Sequence, residues 1–111
     1  MIESYSFGKL VIDGMEFRRD LIVFPDRLKA DWWRKEGHKL QMADLAEVLA
    51  AKPRTLIVGT GHEGTMEVDE EVSEHCKSAG IKLIVCLTEE AVKRYNDMAG
   101  PGVIGLFHLT C

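Results

Sequence analysis

The chain has 111 residues, 46% of them hydrophobic and 29% charged, with 14 basic side chains against 18 acidic ones and a net charge of -4. A chain of that length holds one core and leaves no room for a second domain, so residues 1–111 read as a single domain, too apolar to be disordered. The acidic balance argues against nucleic acid or an anionic membrane surface as a partner.

Local basic pairs, Arg18 with Arg19 and Arg34 with Lys35, are each followed by an acid, Asp20 or Glu36, and read as a solvated mixed face. The three cysteines, Cys76, Cys86 and Cys111, are odd in number and show no C-x-x-C spacing, which fits a reducing compartment and neither a disulfide framework nor a zinc knuckle. The opening Met1-Ile2-Glu3-Ser4 has no basic region leading into an apolar stretch, and the longest apolar run, Leu83 to Leu87, is far too short to span a bilayer. The expected location is therefore the cytoplasm.

The first quarter reads as β structure: Tyr5 to Phe7, Lys9 to Ile12, Met15 to Phe17 and Leu21 to Phe24, the last stopped by Pro25. Asp13-Gly14 between alternating apolar residues is a hairpin signal, because a type I′ turn needs positive φ at both central positions. A small antiparallel sheet should open the protein. From Asp26 to Gln41 no period is evident, but Leu28, Trp32 and Trp33 make this stretch an ordered connection with apolar surface to bury. Leu45, Val48 and Leu49 at helical spacing predict a helix over Ala43 to Ala51, ended by Pro53.

The remainder alternates. Strand Thr55 to Val58 leads through a glycine-rich loop to a helix over Asp69 to Ala79, closed by Gly80. Strand Ile81 to Leu87 and a helix over Glu89 to Met98 follow, then a Gly100-Pro101-Gly102 break and strand Val103 to Leu109. Acids at the helix starts, Glu70 and Glu71, then Glu89 and Glu90, suit the positive dipole ends. Crossovers of this length allow neighbouring strands to run parallel. Leu56-Ile57-Val58 and Leu83-Ile84-Val85 are apolar at every position, as in strands covered on both faces.

Taken together, Tyr5 to Gly14, Asp20-Leu21-Ile22, Trp33-Arg34, Gly37-His38, Val58-Gly59-Thr60-Gly61 and the run Thr88 to Asn96 give the chain a resemblance over nearly its whole length. It resembles the small-domain family of uncharacterised archaeal and bacterial proteins that includes an adipogenesis-associated Mth-domain protein and a mitochondrial complex I assembly factor. The resemblance implies an α/β fold in three layers: a central mixed five-stranded sheet, helices on one face and a small N-terminal β layer on the other. It implies no established catalytic activity, and action through protein partners in assembly.

Gly59-Thr60-Gly61-His62-Glu63-Gly64 spells the dinucleotide fingerprint G-x-G-x-x-G after a strand. Thr65, Met66 and Glu67 separate its third glycine from the helix, and Asp69, Glu70 and Glu71 at the helix start would repel a diphosphate. A tight turn at a strand end is the bland alternative. Between the two lies the reading of a small crevice lined by loop amides, with Gly59, Thr60, Gly61 and His62, and nearby Tyr95 and Asn96, as ligand contacts.

His38, His62, His75 and His108 show no metal-ligand spacing, so no metal and no cofactor is expected. No serine sits in a nucleophile elbow. Cys76 and His75 are neighbours on a helix and point about 100° apart, which leaves Cys76 as a core hydrophobe. Asp13 and Asp20 are assigned to turn chemistry and a strand start. Consecutive Trp32 and Trp33 should send one ring inward and one outward, and the outward ring beside Arg34 has the residue types of a binding hot spot. The sequence thus points away from an enzyme and toward a binding or assembly module that meets a protein partner through Trp32, Trp33 and Arg34. A small-molecule or anion site on the Gly59 to Gly64 loop is the alternative.

Overall fold

The computed structural model describes residues 1–111. Strands β1 (Ile2–Ser6), β2 (Lys9–Ile12) and β3 (Met15–Phe17) form an antiparallel sheet in that order. Asp13 and Gly14 have φ of 50° and 78°, the two positive values a type I′ hairpin requires. Glu3 reaches across to this turn, its carboxylate accepting from the N–H groups of Asp13 (2.9 Å) and Gly14 (2.6 Å).

The central sheet draws on β4 (Leu21–Val23), β5 (Leu28–Lys29), β7 (Thr55–Gly59), β9 (Lys82–Cys86) and β10 (Val103–Phe107), in the order β5-β4-β10-β7-β9. β7 lies parallel to both β10 and β9, while β4 runs antiparallel to β10 and β5 antiparallel to β4, which makes the sheet mixed. The run Leu21 to Phe24 thus leaves the opening sheet, because Leu21, Ile22 and Val23 are all buried and need cover on both faces. Inside the irregular connection, β6 (Lys39–Leu40) pairs in parallel with β8 (Glu67–Val68).

The first helical segment is split into a 3-10 turn over Met42–Leu45 and α1 over Ala46–Ala50. The Asp44 carboxylate accepts from the N–H groups of Gln41 and Lys35 and tightens this entry. α2 (Glu70–Ala79) ends at Gly80 in the left-handed region, φ 72°, and α3 covers Thr88–Met98.

Alternation along the central strands divides the core in two. Ile57 and Phe107 point to one face, where they meet Ile2, Leu10 and Ile12 of the opening sheet and Ala91, Val92 and Tyr95 of α3. Leu56, Val58, Ile104 and Leu106 point to the other, against Leu45, Val48, Val72 and Cys76, with Trp32, Leu40 and Met66 closing the same cluster. Each such fully buried aliphatic side chain contributes roughly 1.5–3 kcal/mol. Helices α1 and α2 therefore cover one face and the N-terminal β layer the other, where α3 joins it. β7 is buried at every position as expected, but β9 is the sheet's edge, and Val85 there remains 46% exposed.

Candidate functional site

The C-terminal ends of the parallel strands carry the chain's most polar interior. Asp20 immediately precedes β4, His108 immediately follows β10, and Arg34 comes in from the irregular connection. Because β4 is antiparallel to β10, with Leu21 opposite Phe107, Asp20 and His108 fall side by side. The connection is clipped to the same point by the Trp32 N–H, which donates to the Asp20 carbonyl at 2.8 Å.

Asp20 is the hub. Its Oδ2 accepts from Arg34 Nη2 at 2.7 Å and from His108 Nδ1 at 2.7 Å, and its Oδ1 accepts from the Leu109 N–H at 2.8 Å. A carboxylate only accepts, so Nδ1 of His108 carries the proton, and the 3.2 Å approach of Arg34 Nη2 to that nitrogen is two donors converging on one oxygen. Arg34 Nη2 also donates to the Gly37 carbonyl at 2.7 Å, and its guanidinium lies 4.7 Å from the centre of the Trp32 ring, a cation–π distance. The His38 ring stands edge-on to His108 with centroids 5.7 Å apart.

Burial of Asp20 by itself would raise its pKa. Hydrogen bonds from His108, the Leu109 N–H and Arg34, with the guanidinium charge, outweigh that and hold the carboxyl below its ordinary value. Arg34 and His108 have side chains only 4% and 6% exposed. Three polar atoms of this cluster have no hydrogen-bond partner in the protein: Arg34 Nε and Nη1, and His108 Nε2.

Two clefts flank the loop above this network. One, of about 440 Å³, is lined by Arg18, Arg19, Asp20, Asp31, Arg34 and Lys35 among others. The other, of about 410 Å³, runs between Ile22, Lys29, Ala43 and Glu47. Trp33, 80% exposed, lines both.

One tryptophan ring points inward and the other outward, as expected, while other expectations are revised. Trp32 is the inward ring, 5% exposed, and Trp33 the outward one. Arg34 belongs to the interior with Trp32, so these two do not extend a surface with Trp33, and Arg34 is no part of a solvated face. Asp20 is the acceptor of a part-buried ion pair, its own side chain 15% exposed, and more than a strand start. His108, scattered in sequence, is brought to both Asp20 and His38. No local spacing reveals this, since Asp20, Arg34 and His108 lie 14, 74 and 88 residues apart in their pairings. The available signal was a polar residue abutting each of two wholly apolar strands, Asp20 before Leu21-Ile22-Val23 and His108 after Leu106-Phe107.

The glycine loop is packed into the fold. The N–H groups of Thr60, Gly61 and His62 donate to the Cys86 carbonyl, Thr88 Oγ1 and the Thr110 carbonyl, so they do not line a crevice. Gly61, at φ +109°, has no room for a side chain: a Cβ would collide with the Cys111 carbonyl carbon. At Gly59 it would come within 2.7 Å of Thr88 Oγ1. Between Gly64 and α2 stands β8, which removes the helix terminus that a dinucleotide would need. Of the residues grouped with this loop, His62 is exposed against Tyr5 and Phe7. Tyr95 and Asn96 lie elsewhere, two turns along α3 from Thr88. Tyr95 packs edge-on against Phe107, and Asn96 exchanges two hydrogen bonds with the Ile2 backbone, fastening β1 to α3. Cys76 is buried in the core, which raises its thiol pKa and suits a hydrophobe.

A family model described as "Protein of unknown function (DUF498/DUF598)" matches residues 2–108. Among solved structures, a conserved hypothetical protein of Pyrococcus horikoshii superposes with a TM-score of 0.85 at 28% identity, covering 100% of this chain and 99% of its own. A protein named MT938 gives 0.81 at 31% identity, covering 100% and 98%. A Xanthomonas campestris protein shares the fold, with a TM-score of 0.83 at 23% identity over 98% of this chain and 83% of its own.

Proposed function

The chain belongs to that family of proteins of unknown function, and we propose that it is a non-enzymatic binding module that engages a protein partner through Trp33. The observation that carries this reading is a tryptophan 80% exposed between two clefts, held on a loop whose neighbouring residues Trp32 and Arg34 are locked into the interior. An aromatic ring presented on a rigid base loses little conformational freedom on binding and has the chemistry of an interface anchor. The chemistry elsewhere supports the same reading. His108 turns its Nδ1 proton to Asp20 and its Nε2 is enclosed, the Cys76 thiol is buried, and the loop amides that would hold a small ligand already have partners.

Affinity capture with the intact domain, followed by titration of the purified partner against wild type and variants, tests the proposal. Trp33→Ala should weaken binding by about 2 kcal/mol, roughly thirtyfold, with the melting temperature unchanged. Trp32→Ala should instead destabilise the domain by about 3–5 kcal/mol through the cavity it leaves. Retention of every partner by Trp33→Ala would overturn the assignment.

A further inference from the structure

We propose that the cleft between Arg18, Arg19 and Lys35 is an oxyanion site, taking a carboxylate or phosphate group. The inference goes beyond the protein-partner reading and does not depend on it. Within a chain of net charge -4, this cleft gathers four cationic side chains against two carboxylates. The global field does not attract anions, so the local excess of positive charge is a property of the cleft itself.

Arg34 forms part of the cleft's inner wall, and its side chain is more than nine-tenths buried. Asp20 and Gly37 accept from Nη2 alone, while Nε and Nη1 keep three N–H donors with no acceptor in the protein. A buried guanidinium with unmet donors carries a desolvation cost that an anion with several lone pairs offsets. Of the cations at the rim, Lys35 and Arg19 are the ones available to the same ligand. Lys35 has no carboxylate within salt-bridge distance, Arg19 Nε stands 3.9 Å from Asp31, and Arg18 pairs with Glu16 at an exposed position. Arg34 Nε and Nη1 are shielded from solvent in the cleft wall, so the exposed Trp33 and Lys35 side chains must move aside for the anion, and the Trp33 indole is the natural reporter.

The test is an NMR titration of the 15N-labelled domain with sodium phosphate, with citrate and with a short oligoglutamate peptide, each against sodium chloride at matched ionic strength. Saturable shifts of the Trp33 indole N–H and the Arg34 Nε–H are expected, with affinity falling roughly tenfold for each cation reversed in Arg19→Glu and Lys35→Glu. Both positions are exposed, so the fold is retained. Saturation by phosphate or citrate supports the site and assigns the oxyanion to a free small molecule. Saturation by oligoglutamate alone supports it and assigns the group to acidic side chains of a partner. Equal shifts with chloride, or charge-reversed variants that bind like wild type, would overturn the proposal.

Discussion

Replacing Asp20 by asparagine isolates what the buried network contributes. The substitution keeps the shape of the side chain and leaves one oxygen for the Leu109 N–H, but it turns the other acceptor into an amide that faces two donors, Arg34 Nη2 and His108 Nδ1. Arg34, with its side chain 4% exposed, is then a buried cation without a counter-charge. Breaking a buried pair in this way costs about 3–5 kcal/mol, a large share of the ~5–15 kcal/mol that holds a typical domain together. For a chain of this size the melting temperature should fall by roughly 10–20 °C, which calorimetry or a urea midpoint reads directly. The pH dependence gives an independent check with a definite sign. Asp20 has a lowered pKa in the fold, so the unfolded chain binds its proton first on acidification. The contribution of Asp20 is complete above the ordinary aspartate value of about 3.9 and disappears as pH drops through the lowered folded value. The gap between wild type and Asp20→Asn should therefore be constant near neutrality and close below about pH 4. The double variant Asp20→Leu with Arg34→Met should recover much of the loss, since it removes both charges together. A loss under about 1 kcal/mol for Asp20→Asn, or a gap that persists in acid, would refute the account of the network as a coupled ion pair.

Two further substitutions probe the glycine loop as a packed element. Thr88 is fully buried, and its hydroxyl accepts from the Gly61 N–H at 2.8 Å and donates to the His108 carbonyl at 2.6 Å. Thr88→Val strands both backbone groups and should cost at least about 2 kcal/mol in denaturant midpoint, with Thr88→Ser restoring most of it; an unchanged midpoint would contradict the assignment. Gly61→Ala places a Cβ against the Cys111 backbone, 2.6 Å from its carbonyl oxygen, at a φ that alanine rarely adopts. It should destabilise by about 3 kcal/mol or more whether or not any ligand is added, and a thermal melt matching wild type would show that the loop has room.

How far the sequence alone reaches follows from the range of the interactions involved. The Asp13-Gly14 hairpin, the Gly80 stop after α2 and the alternation of strand and helix from Thr55 to Phe107 rest on local φ preferences and on hydrophobic period, and these are legible within a few residues. So is the opposition of Trp32 and Trp33, because successive side chains of an extended segment face opposite ways, whereas which of the two is buried is set by the tertiary fold. The boundary cases fail for tertiary reasons. Leu83-Ile84-Val85 reads like Leu56-Ile57-Val58, but the order of strands places the first at the sheet's edge and the second inside it. Asp20, Arg34 and His108 form one site only because an antiparallel strand sets Leu21 opposite Phe107 and the Trp32 N–H ties the intervening loop to the Asp20 carbonyl. Composition and periodicity settle how each segment is shaped. Which charges share a buried space is decided by strand order and register, since a chain with no neighbours has nothing to pair across.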